Sequence, residues 1–147
     1  MALEHKIDFA LVFTAHNANP NGDPLDGNRP RTTYSGLGEV SDVCLKRKVR
    51  NRWIDDGYPV FVQSDNRRSD EFRSLKDRAD ACPALKECLA AIAAQKKNKK
   101  KEATVTSEDY ARIACEQWID VRSFGQVFAL KDKSSDNGDG SDGISIG

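Results

Sequence analysis

The first strongly patterned stretch of the chain, residues 6–14 (KIDFALVFT), places an apolar side chain at every second position. These side chains are Ile7, Phe9, Leu11 and Phe13, and the opposite face carries Ala10 and Val12. Alternation with a period of two predicts a β-strand that buries at least one face. The next segment, residues 15–39, contains three prolines and four glycines, which predict a long loop.

Helical spacing of apolar residues begins after this loop. Ser41 suits the N-cap position and Gly57 suits the end of a helix, so we predict a helix from Ser41 to about Asp56. The residues expected to form its core-facing stripe are Leu45, Val49 and Trp53. This stripe would anchor the helix to the rest of the fold.

The same helix is strongly basic. Between Arg29 and Arg52 the chain holds seven basic and two acidic residues, although the whole protein contains 23 of each. At about 100° per residue, Lys46, Arg47 and Arg50 fall on an arc that faces away from the apolar stripe. Cations on an exposed arc neutralise phosphates, and arginine adds bidentate hydrogen bonds. We therefore interpret the arc as a nucleic-acid contact, with a merely solvated surface as the alternative.

Shorter elements are predicted along the rest of the chain. They are a strand at residues 58–62, helices that begin after Ser69, at Pro83 and at Thr106 or Ser107, and a mostly apolar core segment at 118–130. The lysine-rich run at 96–101 is expected to lie in solvent. Residues 131–143 are rich in Gly, Ser and Asp, which is typical of a disordered linker. Residues 144–147 (ISIG) have the pattern of a beginning strand.

Composition narrows the class of protein. With 38% hydrophobic and 31% charged residues, the 147-residue chain suits one ordinary domain with a modest core. No apolar run is long enough to span a membrane, and the first residues lack the regions of a signal peptide, so we expect a cytoplasmic protein without membrane contact. The four cysteines lack metal-ligand spacing, so we expect reduced thiols, no metal and no cofactor.

The loop at residues 19–31 (NPNGDPLDGNRPR) has one possible reading as a calcium site. The residues that match an EF-hand loop are Asn17, Asn19, Asn21 and Gly22. The match fails at the last ligand position, where Asn28 replaces the required glutamate. A series of Asx turns in a surface connection is the alternative.

A catalytic reading rests on His16 and Asp23, which could form a general acid–base pair. No serine or cysteine nucleophile stands beside them in sequence. A histidine that only forms hydrogen bonds within the loop is the alternative. We therefore predict no catalytic residue.

Three segments carry a resemblance to a known family. They are NPNGDPLDGNRPR at 19–31, GEVSDVCLKRKVRN at 38–51 and DVRSFGQVFA at 120–129. In order and spacing they resemble the signature segments of the repeated backbone subunit of CRISPR Cascade complexes, the Cas7 family, and most closely its type I-C form. The resemblance covers essentially the whole chain.

This resemblance implies an α+β fold, a modified RRM-like (ferredoxin-like) core with insertions. It also implies a non-catalytic subunit that polymerises along CRISPR RNA in a type I surveillance complex for antiviral defence. Its partners would be the guide RNA, target DNA through the guide, further copies of itself and other Cascade subunits. An RRM-like endoribonuclease that processes CRISPR precursor RNA through His16 is the alternative.

Residue by residue, the resemblance and the charge pattern predict a set of RNA contacts. The predicted residues are Asn19, Asn21, Gly22, Asn28, Arg29, Arg31, Ser41, Lys46, Arg47, Arg50 and Arg122. Phe124 would either stack on RNA or pack in the core, and packing is slightly favoured. We expect residues 1–130 to be the N-terminal part of the backbone-subunit domain, followed by a linker at 131–143 and a truncated strand at 144–147.

Overall fold

A computed structural model of the chain describes residues 5–97, 104–129 and 143–147. The chain divides into two compact units, Met1–Leu45 and Lys46–Gly147, which we call the first and second units. No helix in the described part of the chain is long and apolar enough to cross a membrane. The predicted linker, apart from its last residue, and most of the lysine-rich run lie outside the described residues.

Two very short strands organise the loop of the first unit. Strand β1 (Gly22–Asp23) pairs antiparallel with β2 (Arg29–Pro30) across a single 3-10 turn, Pro24–Asp26. The Asp23 carboxylate caps this turn by accepting a 2.9 Å hydrogen bond from the Leu25 amide. Gly27 and Asn28 both take positive φ, at 56° and 59°, which these two residue types tolerate best.

The strand predicted at residues 6–14 is wrong. The segment forms no strand with any described residue, and its apolar side chains are exposed, including Phe9 at 87% and Val12 at 91%. A strand needs a neighbour to accept and donate its backbone hydrogen bonds. Sequence alternation reports the preference of the segment for an extended conformation, and it cannot supply that neighbour.

The basic helix forms as predicted. Helix α1 runs Asp42–Asp55, the Ser41 hydroxyl accepts a 3.3 Å hydrogen bond from the Cys44 amide as an N-cap, and Gly57 follows with φ 79°. Its apolar stripe is less buried than predicted, because Leu45 remains 51% exposed. Packing of α1 therefore depends on more than apolar contacts.

Besides most of α1, the described part of the second unit contains four α-helices and a hairpin. The elements after α1 are α2 (Leu75–Asp80), α3 (Pro83–Lys97), α4 (Ser107–Gln117), α5 (Ile119–Phe124), β3 (Gln126–Ala129) and β4 (Gly143–Ile146). Strand β4 pairs antiparallel with β3, which confirms the strand predicted at the last residues. The hairpin packs its Phe128 against Phe61 and Tyr110, at ring-centroid distances of 5.0 and 5.3 Å.

The helices of this unit begin at residues that favour a helix start. Pro83 begins α3 as predicted. Thr106 caps α4 in a capping box with Asp109, which confirms the first of the two predicted caps. Ser74 caps α2 by accepting from the Asp77 amide, so the predicted cap at Ser69 is wrong.

The strand predicted at residues 58–62 is also wrong, although the segment is core. Val60 and Phe61 are each 1% exposed, but the backbone joins no sheet. Its amides donate instead to a side chain of α5, described below. The predicted conformation was wrong because a short apolar run does not specify its backbone partner.

A glycine fixes the junction between α5 and the hairpin. Gly125 has φ 71°, and a Cβ at this position would collide with the carbonyl oxygen of Ile146. The left-handed region already disfavours other residues, and the close backbone approach excludes any side chain. Gly125 therefore lets the chain turn directly from α5 into β3, which lies beside β4 in the sheet.

A buried arginine ties α2 to the core. Arg78, 6% exposed, donates from Nε and Nη2 to the two oxygens of Asp70, at 2.7 and 2.8 Å. It also donates to the carbonyls of Phe61 and Phe72. The hydrogen bond from Arg78 lowers the pKa of the Asp70 carboxyl below its usual value. This bidentate pair is the main polar contact of α2 with the segment that precedes it.

We expect Asp70→Asn to destabilise the protein by about 1–3 kcal/mol at pH 7, since it leaves Arg78 with poorer acceptors. A carboxyl whose folded pKa is depressed stabilises the fold above its unfolded pKa of about 3.9, and loses that contribution as the pH falls. The difference in urea midpoint between wild type and Asp70→Asn should therefore shrink from pH 6 to pH 3. Glu71→Gln, at the exposed neighbouring residue, is the control. A difference in urea midpoint between wild type and Asp70→Asn that does not change with pH would contradict the stabilising role of the Asp70–Arg78 ion pair.

Candidate nucleic-acid interface

The amide-rich loop is fastened to the start of α1 by Asn21. Its Oδ1 accepts hydrogen bonds from both the backbone amide and the hydroxyl of Ser41, each 2.9 Å long, while its amide group donates to the Gly22 carbonyl. The Cys44 thiol adds a 3.4 Å hydrogen bond to the carbonyl of Pro20. Two residues predicted to contact RNA, Asn21 and Ser41, are therefore bonded to one another.

Other predicted loop residues also make internal contacts. The Asn19 amide group donates to the Asn28 carbonyl at 2.8 Å, and Gly22 lies where a Cβ would collide with the Asn28 side chain. The Arg31 guanidinium pairs with Glu39 at 2.7 Å, which raises the pKa of Arg31. Arg29 differs from these. Its side chain is 77% exposed, and its Nη1 comes no closer than 3.9 Å to the carboxylate of Asp26. Arg29 is thus the loop cation best placed for a ligand.

A buried carboxylate organises the second unit where α1 meets α5. Asp120 is 0% exposed and accepts three hydrogen bonds. Two come from the amides of Phe61 and Val62, at 2.6 and 3.0 Å, and the third comes from Nε of Arg50, at 2.9 Å. One side chain therefore joins α1, α5 and the buried segment around Phe61.

Arg50 is consequently not on an exposed arc. Its side chain is 12% exposed and lies in the ion pair with Asp120. Arg47 is also drawn inward, since its Nη1 donates to the Val62 carbonyl at 3.0 Å. Burial lowers the pKa of Arg47, and the nearby charge of Arg50 lowers it further. The predicted arc is wrong for these two arginines because buried acceptors outcompete solvent for their donors.

Phe124 packs, as was slightly favoured. Its ring lies 5.4 Å from that of Trp53, with Arg50 Cζ 5.0 Å and Lys46 Nζ 5.8 Å from its centroid. Cations this close to an aromatic face are attracted by its quadrupole. Lys46 and Arg50, one turn apart on α1, therefore share the Phe124 ring of α5.

Helices α1 and α5 also carry other cations that are at least partly exposed. Arg122 lies on α5 between Asp120 and Phe124 and is exposed. Lys48 is exposed on α1, and Lys46 is half-buried there. We call Lys46, Lys48 and Arg122 the cationic face of the second unit. These cations lie on α1 and α5, the two helices that the Arg50–Asp120 ion pair joins.

Asp120 is the functional-site residue that sequence reasoning missed. It stands in an apolar stretch, WIDV at 118–121, and aspartate is seldom buried without a partner. That conflict between residue and surroundings was the available signal. It indicates a buried ion pair, although a single sequence does not reveal which cation completes it.

The described residues add no support to the hypothesis of a catalytic site or to that of a calcium site. His16 is exposed, and the Asp23 carboxylate caps the 3-10 turn. No cluster of three or more metal-ligating His, Cys, Asp or Glu side chains occurs among the described residues. All four cysteines are free, as predicted.

Comparison with known proteins decides the family. The profile of the family described as CRISPR-associated protein Cas7 matches residues 5–147, nearly the whole chain. The chain belongs to the Cas7 family. The three sequence segments that carry the resemblance all lie within the matched region.

A curated relative supports the same membership. The chain is 37% identical over 70 residues to the CRISPR-associated protein Cas7 of Haloferax volcanii. These residues are 47% of this chain and 21% of the relative, so the match spans about a fifth of that protein. No solved structure gave a significant match to this Cas7-family chain.

We expect Asn21→Ala to loosen the loop without unfolding the second unit. The substitution leaves the half-buried amide of Ser41 without its acceptor, at a cost of about 1–3 kcal/mol. Amide hydrogen exchange should accelerate at Ser41 and at the loop amides of Asn28 and Arg31. Asn19→Ala, which removes one exposed hydrogen bond, should change exchange far less; equal effects of the two variants would contradict the anchoring role.

Proposed function

We propose that this Cas7-family protein is a non-catalytic, RNA-binding backbone subunit of a type I Cascade complex, most similar to type I-C. It would polymerise along CRISPR RNA and present the guide for pairing with target DNA. Proteins of this kind hold the RNA by backbone and shape, and base pairing supplies the sequence information. The single observation that carries the proposal is the family match over residues 5–147.

The cationic face supports RNA binding in physical terms. Lys46, Lys48 and Arg122 offer positive charge from two helices that are locked together by the Arg50–Asp120 pair. Helices that are already held together need little further ordering when the cations they carry bind a phosphate. We therefore assign phosphate contact to these three residues in the second unit, and to Arg29 in the first.

Other predicted contact residues take a different part in this proposal. Asn21 and Ser41 shape the loop by bonding to one another, and Gly22 and Asn28 fit closely together. Such a loop would contact RNA through its exposed backbone and Arg29. We also propose that the second unit contributes to an RRM-like core, with the β3–β4 hairpin and the helices packed on it as its described part.

Assembly and partners follow from the same proposal. Copies of the protein would line up along one guide RNA, next to other Cascade subunits. The exposed apolar segment at 6–14 is compatible with burial by further protein, since large exposed apolar patches mark interaction surfaces. Target DNA would be reached through the guide.

Purification from cells that express a matching CRISPR array tests the function. We expect bound RNA of uniform length with repeat-derived ends, and no such RNA from cells without the array. Recovery of RNA-free protein from the array-expressing cells would contradict the proposal. His16→Ala tests the enzyme alternative: loss of precursor cleavage with binding intact would favour an endoribonuclease.

We expect Lys46→Ala and Arg122→Ala each to weaken binding to single-stranded RNA and to flatten its salt dependence. Each lost phosphate contact should reduce the slope of log affinity against log salt by about 0.7. Filter binding or fluorescence anisotropy at several salt concentrations measures this slope. Lys86→Ala, which removes an exposed charge on α3, is the control and should leave the slope unchanged.

A further inference from the structure

We infer that Arg50 serves RNA binding as a positioning residue held by Asp120, without itself neutralising a phosphate. This inference rests on the proposed RNA-binding function. It assigns to a signature arginine a role different from that of the lysine one turn before it. It also gives a role to Asp120, to which the sequence analysis assigned none.

The first step concerns the group that neutralises the charge of Arg50. Asp120 is 0% exposed and forms an ion pair with Arg50, while the more distant Arg47 interacts with it through charge alone. Movement of the guanidinium to a phosphate would leave a buried carboxylate without its counter-charge, which is strongly unfavourable. Arg50 is therefore retained by the fold, and the pair as a whole carries no net charge to attract RNA.

The second step concerns what the pair holds in place. Asp120 and Phe124 lie four residues apart on α5, and Arg50 contacts both, through the ion pair and through the ring at 5.0 Å. Arg50 thus attaches α5 to α1 at two points, beside the contact of Trp53 with the Phe124 ring. Arg122 lies between those points and is exposed.

The third step connects this attachment to the cationic face. Lys46 shares the Phe124 ring with Arg50, and Arg122 is carried by the helix that Arg50 holds. The separation of Lys46 from Arg122 therefore depends in part on Arg50. Loss of Arg50 should let α5 shift on α1, which changes the distance between the two cations and weakens their joint contact with an RNA backbone.

The experiment compares Arg50→Met with Arg78→Met. Arg78 is the matched control, because its side chain is 6% exposed against 12% for Arg50 and it forms an ion pair with Asp70. Its hydrogen bonds within the described residues go to Asp70, Phe61 and Phe72, and none reaches α1 or α5. Both variants should lower the thermal midpoint. Affinity for single-stranded RNA, measured well below both midpoints, should fall on the order of tenfold for Arg50→Met and remain near wild type for Arg78→Met.

The salt dependence separates positioning from direct contact. Arg50→Met should keep the wild-type slope of log affinity against log salt, whereas Lys46→Ala should reduce the slope by about 0.7. A comparable reduction in Arg50→Met would overturn the inference, because it would mean that Arg50 neutralises a phosphate. An affinity loss no larger than that of Arg78→Met would also overturn it, since Arg50 would then be merely structural.

A second variant covers failure of Arg50→Met to fold. Arg50→Lys keeps the positive charge but lacks the Nε donor that faces Asp120, so affinity should still fall with the slope unchanged. Wild-type affinity in Arg50→Lys would overturn the inference. If the wild-type protein binds no RNA, the proposed function fails and this inference with it; if Lys46→Ala and Arg122→Ala behave as expected while Arg50→Met does not, only the inference fails.

Discussion

The second unit depends on one buried carboxylate. Asp120 satisfies two backbone amides of a segment that is core but not sheet, and it neutralises an arginine from the basic helix. Without this side chain the amides of Phe61 and Val62 would be buried without partners, and α1 would lack its main polar link to α5. A fold with few buried apolar contacts from α1 uses charge and hydrogen bonding to fix that helix.

The loop of the first unit is also held by a single side-chain acceptor. A single amide oxygen, Asn21 Oδ1, receives both donors of Ser41, and so a proline-rich and glycine-rich segment acquires a defined path. Residues that look like ligand contacts in sequence are in part the means by which the loop is held. What remains available to a ligand is the exposed backbone and Arg29, both presented on an ordered framework.

Most local signals were read correctly from the sequence, although the cap predicted at Ser69 was wrong, since its amide and hydroxyl both donate to Gln63 Oε1. Ser41, Pro83 and Thr106 mark helix starts because capping and proline geometry involve only neighbouring residues. Long-range pairing could not be predicted in the same way. The strand at 6–14 failed for lack of a neighbour, and the exposed arc failed because Asp120, 70 residues from Arg50, and the Val62 carbonyl claim two of its three cations. Family membership could be predicted from the order of the sequence motifs, because that order does not depend on knowing these long-range contacts.

The signature segment DVRSFG contains residues of three different kinds. Asp120 is buried, Phe124 is half-buried against Trp53, and Arg122 is exposed. Gly125 has a further consequence, because the Ile146 carbonyl occupies the space that any Cβ would need. Invariance of that glycine in relatives would report the tight approach of its backbone to the end of β4, whatever ligand each relative binds.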